Sequence, residues 1–124
     1  DCLIFAIPSA FLKSALSSLE VDIKDKYVFS AIKGIVPDEN LIVGEYFNQN
    51  LGVPLDQIGV ITGPCHAEEV ALERLSYLTV ASTNAEMAKK VAKNLACDYI
   101  LTKTSDDIYG TEFEKSCITI AEEM

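Results

Sequence analysis

Three short runs place residues capable of chemistry directly after apolar stretches: Pro8-Ser9 after residues 2–7, Lys33-Gly34 after residues 26–32, and Gly63-Pro64-Cys65, with Ala67 beyond it, after residues 58–62. A lysine that closes a strand can meet an anionic or carbonyl-bearing ligand, and a following glycine lets that ligand approach the backbone. The plainer alternative for Lys33 is a charged strand end that points to water. A Gly-Pro-Cys turn before a helix presents amides to an oxygen-rich ligand, and is equally a tight strand-to-helix connection. Four cysteines stand at 2, 65, 97 and 117 with no CxxC pair, and the single histidine, His66, adjoins one of them. That spacing signals neither a zinc site nor a disulfide framework, so free, mostly buried thiols and no metal are expected.

The elements that must position these groups follow from periodicity. Residues 2–7 (CLIFAI) are continuously apolar, the pattern of a strand buried on both faces of a parallel sheet. Residues 9–19 have helical spacing at Phe11, Leu12, Leu16 and Leu19, with Ser9 as the expected cap. A second strand is expected over 26–32, a helix over 38–50, a third strand over 58–62 and a helix over 67–75. A fourth strand follows over 76–81. Asn84 opens a helix with an apolar stripe of Ala85, Ala88, Val91, Ala92 and Leu95, and with Lys89, Lys90 and Lys93 opposite. A short last strand over 98–101 precedes a closing helix from about 105, capped by Thr104 or Ser105. Strand and helix alternate about five times, which predicts an α/β, Rossmann-like, mostly parallel sheet with flanking helices. Ligands in such sheets sit beyond the carboxyl ends of the strands, where all three runs fall.

Composition narrows the function. Hydrophobic residues make up 49% and charged residues 23% of 124 residues, enough for a core. The formal net charge of -9 disfavours nucleic acid and anionic membrane surfaces. Residues 2–7 are too short to span a bilayer, and no basic segment precedes them, so a cytoplasmic location is expected. A chain that starts one residue before a buried-looking strand is expected to have been cut from something longer.

Four segments in order, AIPS at 6–9, IKGI at 32–35, TGPCHAEEVA at 62–71 and DDIYGTEF at 106–113, resemble the NAD(P)-dependent glycerol-3-phosphate dehydrogenases. The likeness runs through nearly the whole chain, and its longest segment is the most specific. It implies reversible hydride transfer between carbon 2 of sn-glycerol 3-phosphate and NAD or NADP, a small phosphorylated substrate and a homodimer. By resemblance, Lys33 matches a lysine that touches both cofactor and substrate; Gly63 and Cys65 match substrate contacts; Pro8, Ser9 and Ala67 match cofactor contacts. Cys65 stands where the family usually has serine or threonine, and a thiol donates a weaker hydrogen bond. His66 falls at a position the family fills variably and is read as packing.

The tail departs most from the family. Read without gaps, the family's proposed acid-base lysine falls on Ile118; read with a three-residue deletion, it falls on Lys115, the favoured register. Such a deletion rotates a helix by about 300 degrees at 3.6 residues per turn, so the match has a cost. No GxGxxG precedes the first strand, and the family's helical second domain, which holds the substrate phosphate, has no counterpart. The chain is therefore expected to be the rear part of a dinucleotide-binding domain, inactive alone, with a sheet edge left for dimerisation or element exchange to cover. The alternatives are a non-catalytic half-Rossmann module that binds a nucleotide or a protein, and another hydroxyacid or sugar dehydrogenase of the same fold.

Overall fold

The computed structural model describes residues 2–19, 22–23, 25–32, 35–36, 41–63, 67–108 and 110–111. Among these residues, five strands form one sheet in the order β1 (Cys2–Phe5), β2 (Tyr27–Ser30), β5 (Ile58–Thr62), β6 (Ser76–Ser82), β7 (Ile100–Ser105). A two-stranded antiparallel pair, β3 (Ile35–Val36) and β4 (Leu41–Ile42), lies apart from it. The helices are α1 (Leu12–Ser17), entered through a 3₁₀ turn at Ser9–Phe11, α2 (Val43–Leu51), α3 (Ala67–Ala71) and α4 (Ala85–Leu95).

β1, β2 and β5 run parallel, as do β6 and β7, and the two groups meet antiparallel at β5 and β6. Alternation along the strands assigns the two faces. On one face Val28 and Ile58, with Leu3 and Phe5 beside them, pack on Val43, Tyr46 and Phe47 of α2 and on Leu12 of α1. On the other, Phe29, Ile61 and Val80 pack on Ala88, Val91 and Ala92 of α4. The helices are thus staggered across the sheet. The α4 side of β1 is left open, with Cys2 exposed and Ile4 52% exposed. The far side of β6 and β7 exposes the register partners Tyr77 and Leu101.

Three strands end on a serine that holds the amide two residues on. Ser30 Oγ accepts from the Ile32 N–H at 3.2 Å, Ser82 Oγ from the Asn84 N–H at 3.1 Å and Ser105 Oγ from the Asp107 N–H at 3.1 Å. At the last two the held residue also caps a turn: Asn84 Oδ1 accepts from the Met87 N–H at 3.2 Å, and Asp107 Oδ1 from the Gly110 N–H at 2.9 Å. Local side-chain bonds of this kind compete with the sheet ladder and so end strands.

Several expectations are corrected. The first strand stops at Phe5 and lies at the edge of the described sheet with one face open, so its apolar run is not buried on both sides. Ser9 does not cap a helix; it opens the 3₁₀ turn, which has no side-chain cap bond. The helix expected from 38 begins at Val43, after β4. The helix from 67 ends at Ala71 in a Schellman turn: the Glu73 N–H donates to Val70 O, the Arg74 N–H to Glu69 O, and Glu73 takes the left-handed conformation at φ 57°. The last strand runs to Ser105, because Thr102 and Thr104 suit an extended chain and pair along β6, so Thr104 and Ser105 belong to β7 and Asp107 is the capping residue. In α4 the stripe is buried as expected at Ala88, Val91 and Ala92, while Ala85 is exposed. Cys2 and Cys97 are exposed free thiols, against the expectation of burial; Cys65 and Cys117 lie outside the described residues.

Candidate functional site

The three strands that lead into the chemistry-bearing runs are immediate neighbours and parallel, so their carboxyl ends share one edge of the sheet. Phe5, Ser30 and Val60 are register partners in a single row across β1, β2 and β5. Pro8, Lys33 and Gly63 each stand three residues further along the sequence from that row. Sequence reasoning could flag each strand end, but only the strand order makes them neighbours.

The described residues at the ends of these three strands are neutral. Ala6 and Pro8 are exposed, Ile7 and Ser9 half-buried, Ala31 half-buried and Ile32 buried. The Ala31 N–H donates to Phe5 O at 2.9 Å and carries the pairing of β1 and β2 one step past the strands. The Phe11 N–H donates to Pro8 O at 2.9 Å and closes the turn that holds Pro8 and Ser9 over the end of β1. Gly63 is half-buried after β5. A Cβ there would run into the Tyr77 carbonyl and approach Leu78 Cδ2 to 3.0 Å, so the backbone of β6 requires a glycine whatever ligand comes near. Ala67 and Glu68 are exposed at the start of α3, and the acidic Glu68 and Glu69 complement its dipole.

Pro8, Ser9 and Gly63 are thereby brought to one edge, with Ala67 four residues past Gly63. Lys33, Gly34, Pro64, Cys65, His66 and Lys115 lie outside the described residues. Two perturbed groups stand elsewhere. Partial burial pushes the Cys2 thiol up at the start of β1, and Cys97, foremost among several neighbours, raises the Tyr99 phenol in the turn before β7. Among the described residues no cluster of three or more His, Cys, Asp or Glu side chains could hold a metal ion, and no helix is long and apolar enough to cross a membrane. Sequence reasoning overlooked Ser30, although a serine closing an apolar run is itself a signal for a local bond to the backbone.

Comparison with known proteins places this edge in a family. The chain is 34% identical over 113 residues to the glycerol-3-phosphate dehydrogenase [NAD(P)+] of Oceanobacillus iheyensis, covering 90% of this chain and 33% of that protein. It is 40% identical over 85 residues to the same-named protein of Lactobacillus helveticus, covering 67% and 25%. Its fold matches the crystal structure of glycerol-3-phosphate dehydrogenase from Coxiella burnetii with a TM-score of 0.78 at 24% identity, over 92% of this chain and 34% of that one. The chain thus spans about a third of the length of the relatives it matches. The family model described as NAD-dependent glycerol-3-phosphate dehydrogenase N-terminus matches residues 1–105, and the chain belongs to that family.

Proposed function

We propose that this chain is the rear part of the dinucleotide-binding domain of an oxidoreductase that interconverts sn-glycerol 3-phosphate and dihydroxyacetone phosphate with NAD or NADP. The reading is carried by the family match over residues 1–105, whose strand ends meet at one edge. The small residues Ala6, Pro8, Ser9 and Gly63 there leave room for the flat nicotinamide ring of such a cofactor. The sequence holds no GxGxxG, so the pyrophosphate is assigned to residues outside these 124. The cofactor supplies the hydride donor or acceptor.

The chain's own groups have the remaining work. Pro8, Ser9 and Ala67 are assigned to the cofactor, Gly63 and Cys65 to the substrate, and Lys33 to both, with its charge meeting the substrate's oxygens. Lys115 is assigned the proton of the carbon 2 hydroxyl, the position a general acid-base group must reach. The resemblance to the family implies a homodimer, and the net charge of -9 favours a cytoplasmic, small-molecule enzyme over a nucleic-acid or membrane protein.

The test is to express the complete reading frame beside residues 1–124 and to follow NADH and NADPH oxidation with dihydroxyacetone phosphate and, in parallel, other keto acids and sugars. Activity with dihydroxyacetone phosphate in the longer protein and none in the shorter is expected. Turnover of another substrate would assign a different dehydrogenase, and no activity in either form would leave a non-catalytic binding module.

A further inference from the structure

We propose that Leu78 is a positioning residue for Gly63, an inference that rests on the functional reading above, in which Gly63 touches the substrate. The last register pair of β5 and β6 is Thr62 with Thr79, and one further step of that antiparallel register sets Gly63 opposite Leu78. Opposite residues carry their side chains on the same face, so the hollow left by the missing Gly63 side chain opens toward Leu78. Leu78 Cδ2 lies 3.0 Å from the place that a Cβ on Gly63 would take, and the Tyr77 carbonyl closes the hollow from the backbone side. Gly63 stands past the end of β5, and as a glycine it has no side chain by which the core could hold it. Its place at the ligand edge is therefore set by what β6 puts against it. Of the atoms nearest that place, the one from Leu78 is the side-chain contact that a substitution can remove.

Leu78 is itself firmly held. Its partner on the other side is Thr102 of β7, whose hydroxyl donates to Ala92 O of α4 at 3.2 Å. Val80, the next residue of β6 on the same face, is 0% exposed beneath α4. The half-buried Leu78 thus carries the packing of β6, β7 and α4 out to Gly63. Gly59 is filled in the same way by Phe29, but it stands near the start of β5, at the end away from the ligand edge. A backbone contact to a ligand tolerates little displacement, since misplacement by about 1 Å can cost about a hundredfold. Val80 supplies the control: its register partner is Ile61, so its truncation weakens the same packing without emptying the space beside Gly63.

The experiment uses the complete reading frame and compares the parent with Leu78→Ala, Leu78→Met and Val80→Ala. The readouts are KM and kcat for dihydroxyacetone phosphate, the NADH dissociation constant by fluorescence titration, and the thermal midpoint. Leu78→Ala is expected to raise KM about tenfold with a smaller change in kcat and an unchanged NADH constant, because Gly63 is assigned to the substrate alone. Val80→Ala should lower the midpoint at least as much and leave KM unchanged. Leu78→Met, which conserves volume, should restore KM. If Leu78→Ala does not fold, Leu78→Val takes its place with the same expected direction. An unchanged KM in Leu78→Ala or Leu78→Val, an equal rise in Val80→Ala, a rise in the NADH constant as large as that in KM, or no recovery in Leu78→Met would overturn the assignment. A parent that does not turn over dihydroxyacetone phosphate overturns the functional reading and this inference with it, a result visible before any variant is made.

Discussion

The ring of Phe29 fills the space that a side chain on Gly59, its register partner on the neighbouring strand, would need. A Cβ on Gly59 would fall within 2.6 Å of Phe29 Cζ and closer still to the ring edge, and Phe29 is fully buried under α4. Gly59→Ala should therefore destabilise the protein by about 1–3 kcal/mol through overpacking. Adding Phe29→Leu should recover part of that loss, giving a favourable coupling in a double-mutant cycle read by urea unfolding. Strict additivity of the two changes would show that the ring and the glycine do not share this space.

At the start of α4, Asn84 Oδ1 accepts from the Met87 N–H. Asn84→Ala should cost about 1 kcal/mol, and Asn84→Asp, which keeps the acceptor and adds a charge favourable to the helix dipole, should cost little or nothing. Thermal midpoints of the two variants decide the matter; equal losses would argue against a capping role.

Glu73 holds a left-handed conformation at the end of α3, one that glycine adopts freely. Glu73→Gly relieves the strain of that backbone but loosens the unfolded chain, so a net gain of up to about 1 kcal/mol is expected. Glu73→Val, β-branched and strained at this φ, should lower stability instead. A stability order with valine above glycine would contradict the Schellman turn.

Cys2 and Cys97 are exposed and should both react with iodoacetamide in the native protein. Partial burial holds the Cys2 thiol above its ordinary value, so at a given pH less of it is thiolate and it alkylates more slowly than free cysteine. Its rate should accordingly rise to a midpoint more alkaline than that of free cysteine, measured by peptide mapping across pH. A midpoint at or below the free value would mean that burial does not govern this thiol.

Lys115, assigned the proton, and Lys33, assigned to binding, should separate by kinetic signature in the product of the complete reading frame. Lys115→Met should lower kcat by about 10²–10⁴ if it handles the proton, whereas Lys33→Ala should raise KM as well. Unchanged kcat in Lys115→Met would favour the ungapped register, in which Ile118 occupies the place and the acid-base group lies elsewhere.

What the sequence determined by itself was local: which runs bury their side chains, where strands and helices alternate, and which residues stand at strand ends. Val28, Phe29, Ile58 and Val60 are fully buried, as their apolar runs predict, whereas the equally apolar run at 2–7 forms an edge strand with Ile4 exposed; the α4 stripe is legible because its period is helical. Lys33 and Gly63 could be flagged by their place after such runs. The direction of β6 was not legible, since alternation alone suggested a parallel strand. α3 has five residues and rises only about 7.5 Å, less than half the roughly 16 Å that a five-residue strand spans, so it does not carry the chain back for a parallel crossover. The β3 and β4 pair was missed because two residues per strand leave no period to read.

The tertiary structure alone decided that β1, β2 and β5 lie side by side, that Pro8 and Gly63 therefore share an edge, and that the buried Ser82 hydroxyl donates to Ile58 O. Strand order and the partner of a buried hydroxyl depend on contacts between residues more than twenty positions apart. Only packing sets those contacts; neither local propensity nor spacing along the chain contains them.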